Sequence, residues 1–91
     1  MKRCAETEKV VKRLKRIQGQ IGGIVKMIES DKNCEDVLIQ IGAAKAALHK
    51  TGQSVLEGHL SNCVMDAVKA GRGDAAMKRL SAAIEQFSRI I

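Results

Sequence analysis

His59 and Cys63 lie four residues apart in the segment GHLSNC, residues 58–63. On a helix, side chains at positions i and i+4 share a face, so an imidazole and a thiol would stand side by side there. Both groups are ligands that soft transition metals prefer. Two ligands do not make a metal site, and the remaining strong candidate in the chain is Cys34, in DKNCED.

Three helices account for the apolar pattern of the chain. Apolar residues at steps of three and four predict a first helix from about Glu6 to Ser30. Asn33 is a good N-cap for a second helix that finds no obvious stop before about Ala70. Asp74 is predicted to cap a third helix, whose apolar stripe is Met77, Leu80, Ile84, Phe87 and Ile91. With no Pro and one aromatic residue, the composition favours an all-α fold with a long central helix.

Cys34 precedes His59 by 25 residues on the predicted second helix. At 1.5 Å per residue that separation is about 38 Å, far too long for one metal site. Gly52 and Gly58 are the candidate breakers, and neither makes a convincing turn. The third ligand is therefore expected from another subunit.

An antiparallel pair of second helices would supply that ligand. Pairing position 34 with the midpoint of 59 and 63 puts the two-fold axis near Ala47 and Leu48, in an Ala-rich segment where close approach costs little. Two identical sites would then form, one at each end of the pair. In the first helix, Gly19, Gly22 and Gly23 likewise indicate close approach of another backbone.

Each such site would offer two thiolates and one imidazole. This soft ligand set suits Cu(I) and also admits zinc, which usually takes a fourth ligand. Taken singly, each residue has a plainer interpretation: a buried cysteine is a small hydrophobe, and a histidine on an apolar face is usually a core residue. Catalysis is the poorer use of the same residues, because Glu57 points away and no orienting carboxylate stands in register. We expect no enzyme.

The charge balance favours a polyanionic partner. Lys and Arg number 16 against 10 Asp and Glu, a net charge of +6. Four basic side chains share one face of the first helix, and two more lie near the predicted two-fold axis: Lys9, Lys12, Arg13 and Arg16, then Lys45 and Lys50. Since Phe87 is the one aromatic residue, the basic first helix has none to stack on bases, and duplex DNA is favoured over single strands. The alternative is a merely solvated helix face.

The chain has no apolar run approaching the roughly 20 residues of a membrane span and no signal peptide. We therefore expect a cytoplasmic protein with one domain over residues 1–91. In that compartment Cys4, Cys34 and Cys63 are expected to be reduced thiols, ligands or redox sensors rather than structural disulfides.

The stretch RLKRIQGQIGGI (13–24), followed by Cys34 and then HLSNC (59–63), resembles the copper-sensitive operon repressor family of bacterial regulators. The resemblance covers nearly the whole chain. It implies an all-helical protomer, antiparallel dimers that pair into a disc-shaped tetramer, and repression through operator DNA without a helix-turn-helix. It also implies that binding of the inducer releases the DNA.

By this resemblance, Cys34 of one subunit and the His59 and Cys63 of another bind Cu(I) in trigonal geometry. The family's basic stretch on the first helix is matched by Arg13, Lys15, Arg16 and Gln18, which would contact the operator. Nickel and zinc are less favoured inducers. Copper sensors of the family usually have Tyr before the first ligand cysteine and Glu on the third helix, where this chain has Asn33 and Arg79.

Other branches of the family stay open as alternatives. Relatives that sense reactive sulfur species keep two cysteines and join them, which here would use Cys34 and Cys63 as a dithiol. Nickel and cobalt sensors generally have His at position 63, and formaldehyde sensors depend on an N-terminal Pro, neither of which this chain has. Cys4 is a candidate fourth ligand. From a different class, a copper-handling protein would bind metal but no DNA. We predict a Cu(I)-responsive homotetrameric repressor.

Overall fold

The computed structural model describes residues 7–89, which are helical almost throughout and contain no strand. Helix α1 spans Thr7–Glu29 and α2 spans Cys34–Gly58; a π-helical segment, His59–Val64, leads into the short α3, Met65–Lys69; and α4 spans Gly73–Ser88. Since α2, the π-helical segment and α3 follow one another without a break, the prediction of an all-α chain with three helices and a long central one is confirmed.

The turn between α1 and α2 is fixed by backbone hydrogen bonds and one side chain. The amide of Lys32 donates to the carbonyl of Met27 at 3.0 Å, and the amide of Asp31 donates to that of Ile28 at 3.3 Å. This pair of bonds is a Schellman motif, in which Asp31 takes the left-handed position with φ of 58°. Asn33 then caps α2 as predicted, because its Oδ1 accepts the amide of Asp36 at 3.0 Å.

Residues 7–54 form one compact unit. At the end of this unit away from the α1–α2 turn, Nη1 of Arg13 on α1 donates a hydrogen bond to Oγ of Ser54 on α2 at 2.6 Å. A bond between residues 41 positions apart shows that the two helices run antiparallel, side by side. Ile17, Ala44 and Thr51 are the buried residues of this unit. The hydroxyl of Thr51 donates to the carbonyl of Ala47 at 2.8 Å, so this buried group is satisfied within its own helix.

No described part of the chain packs closely against the glycines of α1. A Cβ added to Gly19, Gly22 or Gly23 would meet no atom within 4 Å outside the local helix backbone. The close backbone approach expected at these positions is therefore not made by residues 7–89 of the same chain.

The second compact unit contains the residues from Val55 onward. Here α4 packs against α3 and the π-helical segment, and the buried side chains are Val64, Ala76 and Leu80. A second Schellman motif ends α3, with Gly71 at φ of 78°. The turn also needs Gly73, since a Cβ there would stand 3.0 Å from Cγ2 of Val68.

The predicted capping role of Asp74 is wrong. Helix α4 begins one residue earlier, at Gly73, and its N-cap, Arg72, makes no side-chain capping bond. The compact turn at Gly71 starts the helix sooner than the position of the acidic residue suggests. Asp74 lies in the first turn, where its negative charge still complements the positive end of the helix.

Large apolar side chains remain exposed on every long helix. Leu38 and Ile39 on α2 are each 65% exposed, and Ile28 on α1 is 59% exposed. Within residues 7–89, no helix has the combination of length and apolar character needed to cross a bilayer.

Replacing Asn33 tests whether the cap sets the start of α2. We expect Asn33→Ala to lower the free energy of unfolding by about 1 kcal/mol, because the amide of Asp36 loses its acceptor. Asn33→Ser keeps a capping oxygen and should remain close to wild type. Chemical denaturation followed by circular dichroism at a fixed protein concentration measures both. Equal losses in the two variants would contradict the capping role.

Candidate metal and DNA-contact sites

Cys34 is the first residue of α2 and is exposed as a free thiol. The cap made by Asn33 fixes the backbone at this position, so the direction in which the side chain leaves the helix is set. The thiol thus stands at a defined place on the surface of its unit. It is accessible to a metal ion or to a second chain.

His59 and Cys63 both lie in the π-helical segment and are half-buried. In a π-helix the backbone hydrogen bonds close over five residues instead of four, so the turn is wider than an α turn. Side chains four residues apart still project to one side of such a turn. The predicted pairing of imidazole and sulfur on one face is therefore compatible with this backbone.

Cys63 is disulfide-bonded in the structure, whereas Cys34 is free. The expectation that the cysteines are reduced thiols is thus wrong for Cys63 in this state. Only the reduced form of Cys63 offers a thiolate to a metal, since a disulfide sulfur carries no negative charge. Cys4, the predicted candidate for a fourth ligand, lies outside the described residues.

Within residues 7–89 of one chain, no three His, Cys, Asp or Glu side chains come together as a metal-binding group. The helical run from Cys34 to Lys69 contains no hairpin that would return Cys34 to His59. The predicted trio is therefore not assembled by a single chain. This is the arrangement expected if its ligands come from two subunits.

The π-helical segment is the feature of the site that sequence reasoning missed. Such segments are rare and are often found at functional sites. A signal was present, because apolar residues recur at an unbroken spacing of four through Leu56, Leu60, Val64 and Val68. An α-helical stripe alternates steps of three and four, so a run of fours alone suits a wider turn.

The predicted DNA-contact residues are all exposed: Lys9, Lys12, Arg13, Lys15, Arg16 and Gln18 on α1, and Lys45 and Lys50 on α2. No acidic residue interrupts α1 from Lys9 to Gln18. This stretch therefore presents concentrated positive charge to solvent. Lys2 and Arg3, which would extend it, lie outside the described residues.

Asn33 and Arg79 are the two residues at which the chain departs from the pattern expected of copper sensors. The side chain of Asn33 is engaged as the cap of α2. Arg79, the position at which the family resemblance leads us to expect a carboxylate, is exposed on α4 and carries a positive charge. A cation cannot accept a hydrogen bond from an imidazole, so Arg79 cannot play the carboxylate's part.

The comparison with known families covers almost the entire chain. Residues 6–91 match the model of the metal-sensitive transcriptional repressors. The copper-sensing transcriptional repressor CsoR of Bacillus subtilis is 40% identical over 88 residues, which are 97% of this chain and 87% of the relative. The copper-sensing transcriptional repressor RicR of Mycobacterium tuberculosis is 42% identical over 86 residues, 94% of this chain and 88% of the relative.

Solved structures agree with the sequence relatives. The crystal structure of the copper-sensing repressor CsoR with Cu(I) from Geobacillus thermodenitrificans aligns with a TM-score of 0.87 at 43% identity, covering 90% of this chain and 85% of the other. The nickel-responsive transcriptional regulator InrS aligns with a TM-score of 0.79 at 30% identity, covering 96% and 97%. The chain belongs to the metal-sensitive transcriptional repressors, a family of regulators rather than enzymes.

Proposed function

We propose that this protein is a Cu(I)-responsive repressor, which holds operator DNA in its metal-free form and leaves it when Cu(I) binds. The observation that carries the proposal is the placement of three soft donors. Cys34 opens α2, His59 and Cys63 share the π-helical segment, and no metal-binding trio forms within the described part of one chain. This separation supports a site that is shared between two subunits.

The donor set fits Cu(I) better than other metals. Two thiolates and one imidazole are soft ligands, and three of them suffice for Cu(I), whereas zinc usually takes four. Nickel remains a weaker candidate, supported by the likeness to the nickel-responsive InrS. The relatives named as copper sensors point the same way.

The assembly we propose is an antiparallel dimer, two of which form a tetramer. Its support is the exposed apolar surface. Ten large side chains on α1 and α2 face solvent in the described chain: Val11, Leu14, Ile21, Val25, Ile28, Leu38, Ile39, Ile41, Leu48 and Val55. Burying such side chains is favourable at roughly 25 cal/mol per Å². In this assembly residues 1–91 act as one metal-sensing, DNA-binding domain, and we place the protein in the cytoplasm.

DNA binding is assigned to the basic surface of α1, with Lys45 and Lys50 added from α2. Assembly multiplies this surface, so several phosphates can be contacted at once. Each phosphate contact releases counterions, and affinity should therefore fall steeply with salt. No helix-turn-helix is needed, because exposed cations on a long helix can follow the phosphates directly.

Release is proposed to follow from the geometry of the ligands. Cys34 of one protomer and the partner's His59 and Cys63 would be drawn together when they share one ion. The start of one α2 is then tied to the π-helical segment of the other chain, and the α1 helices shift with it. A coupling of about 1–3 kcal/mol, typical of allosteric proteins, would change operator affinity by roughly 5- to 150-fold.

A persulfide-responsive repressor is the alternative, in which Cys34 and Cys63 of different subunits become linked through sulfur. Its support is the presence of two cysteines in the predicted site, of which Cys34 is an exposed free thiol. His59 has no role in that chemistry. A response to polysulfide in place of Cu(I) would identify this function.

Anaerobic titration of the reduced protein with Cu(I), against a competing chelator, tests the metal site. We expect about one ion per chain and a loss of at least about tenfold in affinity for His59→Ala, because one of three ligands is removed. His49→Ala is the matched control, since His49 is exposed on α2 away from the predicted ligands, and it should bind as wild type.

Weak binding, or equal binding by the two histidine variants, would reject the copper site. The same titration on protein oxidised at Cys63 should show a similar loss of affinity, because that sulfur can no longer act as a thiolate.

Fluorescence anisotropy with the duplex upstream of the protein's own gene tests the DNA surface. We expect Lys15→Ala to weaken binding and to reduce the slope of log K against log salt by about 1, since one phosphate contact is lost. Lys26→Ala, which removes a cation from the last turn of α1, should leave the slope unchanged. A duplex affinity that does not change with salt concentration, or the absence of binding, would favour a copper-handling protein.

A further inference from the structure

Arg13 differs from the other cations of α1 in its position around the helix. At 100° per residue, it stands about 40° from the buried Ile17. Lys12 stands about 140° and Arg16 about 100° from the same residue, further out toward solvent. Arg13 therefore occupies the border between the interior of the α1–α2 pair and the exposed basic surface.

At this border the guanidinium is held by α2. Nη1 of Arg13 donates to Oγ of Ser54 at 2.6 Å, a short and well-formed hydrogen bond. Ser54 is half-buried, so the acceptor is set by the backbone of α2. Of the five N–H groups of the guanidinium, this bond uses one and leaves the others for a further partner.

The chemical group at residue 54, which accepts the hydrogen bond from Arg13, matters as much as its position. A carboxylate at residue 54 would hold Arg13 more tightly but would cancel its charge. The neutral hydroxyl of Ser54 orients the guanidinium and leaves its positive charge intact. An arginine ordered in this way loses less rotamer entropy when it meets a phosphate than a freely moving one does.

We propose that Ser54 is a positioning residue for DNA binding, which holds the guanidinium of Arg13 ready for a phosphate of the duplex. The proposal rests on the DNA-binding function proposed above. Arg13 makes the contact, and Ser54 acts through it. Sequence reasoning assigned Arg13 to the basic surface but gave Ser54 no role.

Salt-dependent binding separates positioning from charge. We expect Ser54→Ala to weaken duplex binding by about two- to tenfold, the range for one ordered side chain. The slope of log K against log salt should stay at the wild-type value, because no cation is lost. Arg13→Ala should lower the slope by about 1. Ser54→Thr keeps the hydroxyl and should restore binding.

A double-mutant cycle gives the decisive comparison. In the Arg13→Ala background, Ser54→Ala should have no further effect on affinity, since its target is gone. Ser30→Ala serves as the control, because that hydroxyl bonds to the carbonyl of Lys26 within its own turn. The proposal is overturned if Ser54→Ala binds as wild type or weakens binding equally in both backgrounds.

A second measurement needs no DNA. Side-chain ¹⁵N relaxation of the reduced, metal-free protein should show a higher order parameter for Nε of Arg13 than for Nε of Arg16, and Ser54→Ala should remove the difference. Equal mobility of the two arginines in the wild type would reject positioning even if the protein binds DNA. If the wild type binds no duplex, the proposed function fails and these order parameters still decide whether Ser54 orders Arg13.

Discussion

The continuity of the helical run from Cys34 to Lys69 is the constraint on which the remaining interpretation depends. A helix advances by a fixed rise per residue, so donors at its two ends cannot share an ion within one chain. The Asn33 cap fixes where the run begins, and the Schellman motif at Gly71 fixes where it ends. In the proposed site, metal binding therefore depends on assembly, because its ligands would come from two chains.

The two long helices carry different parts of the proposed function. Most of the proposed DNA-contact residues lie on α1, while α2 begins with the proposed ligand Cys34 and supplies the hydroxyl that accepts the hydrogen bond of Arg13. A displacement of α2 along α1 would move that hydroxyl, and the guanidinium would have to follow or lose its partner. The Arg13–Ser54 bond is thus a physical connection between the helix proposed to sense the metal and the helix proposed to contact the duplex.

Much of the fold was predictable because its signals are local. Asn33 reads as a cap from residue type alone, and apolar steps of three and four locate α1. The π-helical segment was not predicted, since interpretation as an α-helix accepts the same residues. The bond between Arg13 and Ser54 joins positions 41 apart and leaves no local pattern in the sequence. The disulfide at Cys63 depends on redox state, which residue spacing does not encode.

The small number of buried side chains has a consequence for how long a newly made chain survives in the cell. Over residues 7–89 only Ile17, Ala44, Thr51, Val64, Ala76 and Leu80 are buried. In the proposed assembly, a chain with so little interior would gain much of its stability by mass action, when copies associate. Newly synthesised chains would then be open to proteases until their abundance allows pairing. The level of expression would set the lifetime of the regulator as well as its amount.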